Sequence, residues 1–258
     1  MNTLIGKKAI VTGGGSGIGR QICLQFAEEG CDALAIYDIN EDTANETAQM
    51  IAANSKTRCF VYRVDISSFS DVETATAAFV ESSGGAPDIL VNNVGWDVPA
   101  PFLETDPAFW KKIVDINLIG VFNMHSVVLR LMVDNGGGKV INIASDAGRL
   151  GAALEAVYSA CKGGVITFTK SIAREMARHN ILINTVSPGA TNTAGYEHVR
   201  GLAPDADKFE KALLKLTPMK RLGEPAECAR LVTFLASDHA SFILGQTISV
   251  SGGLTMVG

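Results

Sequence analysis

The sequence lacks most features that mark membrane, secreted, metal-binding or nucleic-acid-binding proteins. Its 258 residues contain no apolar stretch near the roughly 18 residues that a transmembrane helix requires, and the apolar run at 9–11 is too short for a secretory signal. The five cysteines form no C-x-x-C pair, which disfavours a zinc site or a disulfide framework. With 22 Lys and Arg against 27 Asp and Glu, the net charge of −5 disfavours binding to nucleic acid or an anionic membrane. We therefore expect a cytoplasmic protein with a small-molecule ligand.

Short apolar segments alternate with helical patterns along most of the chain. Such alternation predicts parallel strands joined by right-handed helical crossovers. The predicted strands are 8–11, 33–37, 58–64, 88–91, 139–143, 181–186 and 247–250, and the predicted helices are 18–29, 41–53, 71–82, 107–133, 156–178 and 225–236. The sequence thus predicts an α/β fold in one domain over residues 1–258. Its core is a Rossmann-type, doubly wound sheet of seven parallel strands flanked by helices, with an insertion at about 190–222 over the carboxyl edge.

A glycine-rich segment follows the first predicted strand. Residues 12–19 read TGGGSGIG and lead directly into a helix. Free N–H groups and the positive end of the helix dipole suit a phosphate there, and glycines let it approach the backbone. Arg20 and Gln21 stand where a nucleoside triphosphate site needs Lys and Ser or Thr. The segment therefore indicates a dinucleotide site, with an ordinary glycine-rich turn as the alternative.

Asp38 ends the second predicted strand, about twenty residues after the glycine segment. A carboxylate at this position accepts hydrogen bonds from both hydroxyls of an adenosine ribose and repels a 2′-phosphate. No Lys or Arg lies between Tyr37 and Ser55 to neutralise such a phosphate. The position favours NAD over NADP; the alternative is that Asp38 only caps the helix that begins near Glu41.

Four residues form a candidate catalytic set. Tyr158 and Lys162 share one face of a predicted helix, and an ammonium beside a phenol lowers a pKa that starts near 10, which suits Tyr158 to general acid–base work. Ser145, at the end of the fifth predicted strand, is placed to hold a substrate oxygen. Asn117 is placed to pass protons through water to Lys162. The Y-x-x-x-K spacing alone is weak, but its order behind the glycine segment and Ser145 indicates an oxidoreductase.

In this order the motifs resemble the short-chain dehydrogenase/reductase family across essentially the whole chain. The matching residues are TGGGSGIG at 12–19, Asp38, Asp65 and Ile66, NNVG at 92–95, Asn117, Ser145, Tyr158, Lys162, Pro188, Gly189, Thr191 and Thr193. The resemblance implies NAD-dependent oxidation of a secondary hydroxyl to a ketone. It also implies a homotetramer joined through the helices at 107–133 and 156–178 and the last strand.

The resemblance also implies how the cofactor is held. The implied contacts are Gly13, Ser16, Gly17, Ile18, Gly19, Asp38, Asp65, Ile66, Asn92, Gly95, Tyr158, Lys162, Pro188, Gly189, Thr191 and Thr193. Asp65 and Ile66 would hold the adenine, Asn92 and Gly95 would pack along the adenosine, and Lys162 would bond the nicotinamide ribose. Residues 188–193 would hold the carboxamide. Val94 stands where the family usually has alanine, and Ser16 stands where NADP-preferring members often carry arginine.

Several segments narrow the expected substrate. NNVGWD at 92–97, NIASDAGRLG at 142–151, EAVYSACKGG at 155–164, REMARH at 174–179 and the tail from Gly245 are similar to the members that oxidise 2-hydroxycyclohexane-1-carboxyl-CoA in alicyclic and aromatic acid degradation. This resemblance implies a cyclic hydroxyacyl-CoA substrate. Trp96, Leu150 and Leu154 are candidates to line its pocket with Ser145, against the alternative of ordinary packing. The insertion carries six Lys and Arg against four Asp and Glu, which suits attraction of the polyanionic coenzyme A and a merely solvated helix equally. The resemblance to acyl-CoA enzymes favours coenzyme A.

The alternative functions are a hydrolase, a catalytically silent partner subunit and a 3-oxoacyl thioester reductase. A hydrolase is disfavoured because no G-x-S-x-G motif occurs and His125, His179, His198 and His239 have neither an evident nucleophile partner nor metal-ligand spacing. A catalytically silent partner subunit would be expected to have lost part of the glycine segment or the catalytic set. The remaining alternative is a 3-oxoacyl thioester reductase acting on an acyl carrier protein or CoA substrate. Such reductases usually take NADPH, which Asp38 opposes.

Overall fold

The computed structural model describes residues 2–203 and 205–256, and its centre is a seven-stranded parallel sheet. The strands are β1 (Lys8–Thr12), β2 (Ala33–Asp38), β3 (Arg58–Arg63), β4 (Ile89–Asn92), β5 (Gly138–Ile143), β6 (Ile181–Pro188) and β7 (Thr247–Val250). Their order is β3-β2-β1-β4-β5-β6-β7, and every pairing is parallel. The predicted fold class is confirmed.

Helices cover both faces of the sheet. They are α1 (Gly17–Glu28), α2 (Glu41–Asn54), α3 (Phe69–Ser83), α4 (Pro107–Val114), α5 (Gly120–Asp134), α6 (Ala147–Leu150), α7 (Ala156–Met176), α8 (Ala194–Leu202), α9 (Ala206–Leu216) and α10 (Pro225–Ala236). On one face, Phe26 of α1 and Val232 of α10 are fully buried in one core cluster. On the other, Phe79 of α3 and Val128 of α5 belong to a second cluster. Burial of apolar side chains on both faces is what a parallel sheet requires.

The chain order places a crevice at the middle of the sheet. From β1 the chain proceeds outward to β2 and β3, then returns to β4 on the other side of β1. The loops after β1 and β4 therefore diverge at the carboxyl edge, which is where open α/β sheets bind ligands. The loop after β4 is held to the end of β1, because the Asn93 backbone N–H and side-chain amide both donate to Thr12, at 2.9 and 3.0 Å.

The predicted helices differ from those of the structure in several places. The predicted helix at 107–133 is divided into α4 and α5 by a π-helical segment, Asp115–Ile119. A π-helical turn holds an extra residue, which shifts the face that the following side chains occupy. The helix predicted over 156–178 ends at Met176 and continues as a 3₁₀ turn, Ala177–His179. The short helix α6 was not predicted, and the insertion at 190–222 contains both α8 and α9.

The continuous helical span Pro107–Asp134 is long and apolar enough to cross a membrane, with a mean hydropathy of 1.5 over its most apolar window. In the structure it is a core layer of the protein. Met124, Val128 and Met132 are fully buried in the cluster beneath β4 and β5. Packing against the sheet therefore accounts for the apolar composition of this span.

Candidate active site

In the glycine segment after β1, two glycines lie too close to neighbouring atoms to carry a side chain. A Cβ on Gly19 would lie 2.0 Å from the Gly13 carbonyl oxygen, and one on Gly15 would lie 2.8 Å from the Asp38 Oδ2. Gly13 and Gly17 have φ angles of +66° and +51°, in the left-handed region that favours glycine. The turn can therefore bring the start of α1 directly over the end of β1 only with these glycines.

The amino end of α1 is left open for an anion. Ser16, its N-cap, makes no capping hydrogen bond through its side chain, and the first turn contains no acidic residue. By contrast, Asn40, Ser68 and Asp106 cap α2, α3 and α4 through side-chain oxygens. The N–H groups and the positive dipole end of α1 thus lack a side-chain acceptor, as a pyrophosphate-binding turn requires.

Asp38 faces this turn from the end of β2. Its Oδ2 accepts a 2.9 Å hydrogen bond from the Gly15 N–H, and its Oδ1 accepts one of 3.0 Å from the Asn40 N–H. The helix α2 is capped by Asn40 rather than by Asp38. The carboxylate is therefore fixed beside the glycine turn, and the alternative role as the α2 cap does not hold.

A cleft of about 790 Å³ runs along the carboxyl edge from Asp38 to Trp96. Ten of the residues singled out in the sequence line it: Gly13, Ser16, Gly17, Ile18, Asp38, Asp65, Ile66, Gly95, Trp96 and Thr193. Its far wall comes from α4 and the π-helical segment, through Lys111, Lys112 and Asp115. The volume lies within the range of cofactor pockets. The glycine cradle, the open helix end and the Asp38 carboxylate together fit a nicotinamide dinucleotide.

Lys162 is 2% exposed, and its Nζ donates a 3.0 Å hydrogen bond to the Ile143 carbonyl at the end of β5. Burial lowers its pKa to about 8. A Cβ on Gly95 would lie 3.1 Å from the Lys162 Nζ and 3.4 Å from the Asn117 Oδ1, so glycine lets the loop after β4 approach both groups. The lysine thus sits between β5 and the cleft wall.

Asn117 lies in the π-helical segment and is fully buried. Its side-chain amide donates to the Trp96 carbonyl at 2.7 Å and to the Ile113 carbonyl at 2.9 Å. Its Oδ1 accepts a 3.1 Å hydrogen bond from the Trp96 N–H. The side chain therefore anchors the loop after β4, and the predicted proton relay to Lys162 remains a prediction.

Tyr158 of α7 lies near Ser145, which follows β5, so that the Ser145 hydroxyl acts on the pKa of Tyr158. The Lys162 Nζ lies 5.6 Å from the centre of the Tyr158 ring. The expectation that the pKa of Tyr158 lies below its usual value is wrong for this structure, although the Lys162 charge still favours the phenolate. Burial raises that pKa, and the nearby Glu155 and Asp97 carboxyls raise it further, whereas the Ser145 hydroxyl lowers it.

Some predicted cofactor contacts do not lie in the cleft. The Asn92 side chain is buried and donates a 2.8 Å hydrogen bond to the Asn142 Oδ1, because its position in β4 directs it into the core beside His125. The Thr191 hydroxyl donates to the Gly189 carbonyl at 3.0 Å, and the Gly189 N–H donates to Val250 of β7. Of the predicted contacts in 188–193, Thr193 lines the cleft, since as the N-cap of α8 it lies against Gly17.

The substrate end of the site is open. Leu150 and Leu154 are each 53% exposed, while Trp96 lines the cleft with the Lys112 Nζ 4.0 Å above its ring. Asp97 and Glu155 were not singled out in the sequence, yet both lie close enough to Tyr158 to change its pKa. Two acidic residues far apart in the chain give no recognisable spacing. Only the position of Glu155, three residues before Tyr158, could have drawn attention to it.

Comparison with known proteins extends over almost the entire chain. The sequence model of the family described as "Enoyl-(Acyl carrier protein) reductase" matches residues 13–255. The chain is 39% identical over 245 residues to the acetoacetyl-CoA reductase of Shinella zoogloeoides, covering 95% of this chain and 97% of that protein. It is 34% identical over 255 residues to the 3-oxoacyl-[acyl-carrier-protein] reductase FabG of Chlamydia muridarum, covering 98% and 100%.

A solved structure agrees with these relatives. The 3-ketoacyl-(acyl-carrier-protein) reductase of Brucella melitensis, complexed with NADH, superimposes on this chain with a TM-score of 0.89. The two sequences are 30% identical, and the match covers 98% of this chain and all of that one. The narrower likeness to enzymes of cyclic hydroxyacyl-CoA oxidation does not recur among these relatives. They agree better with the thioester reductase considered as the alternative.

Replacement of Tyr158 by phenylalanine tests the catalytic set. Tyr158→Phe removes the proton-carrying hydroxyl and keeps nearly all of the packing, so we expect turnover to fall at least about a hundredfold with little change in Tm. Tyr62→Phe, which removes a hydroxyl from β3 away from the cleft, is the matched control and should retain turnover. Steady-state kinetics and thermal melts provide the measurement. Near-normal turnover of Tyr158→Phe would exclude this residue as the general acid and base.

Proposed function

The chain belongs to the short-chain dehydrogenase/reductase family, and on that premise we propose that it interconverts β-oxoacyl and β-hydroxyacyl thioesters with NAD(H). The observation that carries this proposal is the continuity of the site. The open glycine turn and Asp38 lie at one end of the cleft, Gly95 and Trp96 line the other end, and Lys162 lies in contact range of Gly95. A nicotinamide dinucleotide bound along this cleft would supply or accept the hydride.

The residues beside the cleft would handle the proton and the carbonyl oxygen. The Ser145 and Tyr158 hydroxyls lie near each other, so a ketone oxygen placed between them would receive hydrogen bonds from both. In reduction the Tyr158 phenol donates its proton to the developing alkoxide; in oxidation the phenolate removes the proton of the alcohol. Lys162, fixed to the Ile143 carbonyl, supplies a positive charge that favours the phenolate.

The substrate class is supported by the relatives and by chemistry. The relatives' names describe acetoacetyl-CoA and 3-oxoacyl-[acyl-carrier-protein] as their substrates. The ring hydroxyl of 2-hydroxycyclohexane-1-carboxyl-CoA is also on the carbon β to its thioester. Linear and cyclic substrates therefore present the same reacting group, and we place the linear reductase reaction first because of the relatives.

For the cofactor we propose NAD(H) rather than NADP(H). The Asp38 carboxylate is held beside the glycine turn by two backbone N–H groups and lines the cleft. At this position it would accept hydrogen bonds from the ribose hydroxyls and repel a 2′-phosphate. The NADH bound to the Brucella reductase agrees with a nicotinamide cofactor of this kind.

Asp38→Ala tests the cofactor preference. Loss of the Gly15 hydrogen bond should weaken NADH and NADPH alike, whereas loss of the ribose acceptor should weaken NADH alone. A charged hydrogen bond contributes about 1.5–3 kcal/mol, so we expect the ratio of the two Kd values to move about ten- to a hundredfold toward NADPH. Fluorescence titration of each cofactor gives the ratio, with Asp42→Ala on the exposed surface of α2 as the control. An unchanged ratio would contradict the ribose role of Asp38.

We propose that α9 binds the phosphate-bearing part of the thioester substrate, its handle. Arg200 of α8 is surrounded by Glu197, Asp207 and Glu210, with N–O distances of 2.9 to 3.3 Å, so its charge is neutralised within the insertion. Lys208, Lys211 and Lys215 remain exposed on α9, at spacings that place them on one helical face. This face is the cationic surface to which a phosphate-bearing handle would be drawn.

Charge reversal of Lys208, Lys211 and Lys215 together should raise KM for a CoA thioester. The same variant should change KM little for the CoA-free N-acetylcysteamine thioester, which has no phosphate. KM of the wild type for the CoA thioester should also rise with salt, because exposed charges are screened within about 10 Å at 0.1 M. Equal KM changes for both thioesters would contradict the role of α9 in binding the handle. They would not bear on the chemistry proposed for the active site.

We propose a cytoplasmic homotetramer. Val127 and Leu131 of α5 and Ile172 of α7 are only partly buried, and Phe242, before the edge strand β7, is fully exposed. Sedimentation velocity at micromolar concentration should give a particle of four chains, which Phe242→Glu should dissociate without loss of helical circular dichroism. A stable monomer in the wild type would refute the assembly.

A further inference from the structure

Two carboxyl groups meet beside the catalytic tyrosine, from distant parts of the chain. Asp97 belongs to the loop after β4, and Glu155 is the N-cap of α7. Both line one small cavity whose wall is mostly apolar and includes Phe109, Ile113 and Val157. Tyr158 follows in the first turn of α7, three residues after Glu155 and on the same side of the helix.

The backbone around Glu155 is shaped to present this side chain. Leu154 has a φ of +69°, which is unfavourable for a bulky residue and persists only where surrounding contacts enforce it. One such contact is the 2.9 Å hydrogen bond from the Ala100 N–H to the Leu154 carbonyl, which ties α7 to the Asp97 loop. Although Glu155 is the N-cap of α7, its side chain makes no capping hydrogen bond. The carboxyl faces the cavity instead of capping its helix.

Neither carboxyl has a cation as partner within the cavity. The Asp97 Oδ2 is buried and lacks a hydrogen-bond partner among the described residues. Burial raises the pKa of Asp97 to about 6, and burial together with Asp97 raises that of Glu155 to about 7. Lys112 of the cleft wall lies over the Trp96 ring, with its Nζ 4.0 Å from the ring centre. The pair therefore gains negative charge across the neutral pH range.

Several neighbouring groups act on Tyr158. The Glu155 and Asp97 carboxyls raise its pKa, the Cys161 thiol adds a smaller effect of the same sign, and the Ser145 hydroxyl lowers it. The Lys162 ammonium lies beyond the ring, 5.6 Å from its centre, and is engaged by Ile143. Like charge opposes formation of the phenolate, whereas the ammonium favours it.

We propose that Asp97 and Glu155 are positioning residues that hold Tyr158 near neutral pH in its phenol form, the proton donor that reduction requires. This inference rests on the proposed oxidoreductase function and concerns the proton carrier of that same site. Reduction needs the phenol as proton donor, and oxidation needs the phenolate as acceptor. With both carboxylates ionised, the phenolate forms only at higher pH.

Glu155→Gln, which keeps the shape and removes the charge, tests the proposal. The pKa of Tyr158 should fall by about one unit, as expected for loss of a nearby like charge. In pH profiles of kcat/KM, the rising limb of β-hydroxyacyl-CoA oxidation and the falling limb of β-oxoacyl-CoA reduction should both move to lower pH by this amount. A purely structural role of Glu155 would lower both rates without moving either limb. Asp97→Asn should move both limbs in the same direction.

A second measurement needs no substrate. Incorporation of 3-fluorotyrosine lowers the phenol pKa into a range suited to the folded protein, and ¹⁹F NMR follows each tyrosine, with the Tyr158 signal assigned by Tyr158→Phe. The titration midpoint of Tyr158 should be lower in Glu155→Gln than in the wild type. Glu81→Gln, the same change on the exposed surface of α3, should leave it unchanged. Thermal melts report folding, and Asp97→Asn serves as the second variant should Glu155→Gln not fold.

The two measurements separate the possible failures. If the thioesters are not turned over but the NMR midpoint falls, the proposed substrate is wrong and the role of the carboxyl pair stands. An NMR midpoint of Tyr158 that is the same in the wild type, Glu155→Gln and Asp97→Asn overturns the role of the pair, whatever the substrate.

Discussion

The approach of α1 to the end of β1 is the contact on which the rest of the site depends. At Gly19 even a methyl group would lie 2.0 Å from the Gly13 carbonyl oxygen, so the turn exists only without side chains there. Once formed, the turn touches the carboxyl ends of three other strands. The Gly15 N–H donates a hydrogen bond to Asp38 at the end of β2, and the Asn93 side-chain amide after β4 donates one to the Gly13 carbonyl. Gly17 lies against Thr193 beyond β6. The cleft is therefore defined by backbone geometry before any cofactor-specific side chain is considered.

At the other end of the cleft, burial sets the chemistry. Removing Lys162 from water lowers its pKa, and removing Tyr158 from water raises its pKa, so desolvation alone brings both groups toward their neutral forms. The charges that remain nearby act on the proton of Tyr158, because the ammonium favours the phenolate and the carboxyls favour the phenol. On the proposal above, the pH ranges in which oxidation and reduction are fast depend on residues that the catalytic motif does not include.

Sequence patterns predicted what depends on local interactions. The helix at 225–236 and the strand at 247–250 agree with α10 and β7 at both ends, since α10 begins at Pro225 and both elements have clear apolar periodicity. The glycine turn and the position of Asp38 follow from one βαβ unit. The π-helical segment could not be predicted, because its extra residue depends on the bonds of Asn117 to Trp96, twenty-one residues away. The inward direction of Asn92 and the meeting of Asp97 with Glu155 likewise depend on tertiary contacts that a single sequence does not reveal.

The same distinction explains why the family is clear and the substrate is not. The cofactor end is constrained by glycines that no other residue can replace, so its motif is readable in the sequence. The substrate end is bordered by half-exposed Leu150 and Leu154 and by the helices α8 and α9, in which no described residue is fully buried. Exposed side chains can be exchanged at little cost in stability, and substrate preference can therefore change without a change of fold. Within such a scaffold, the carboxyl pair beside Tyr158 is the more informative feature, because a partly buried charge is costly and residues with shifted pKa values cluster at functional sites.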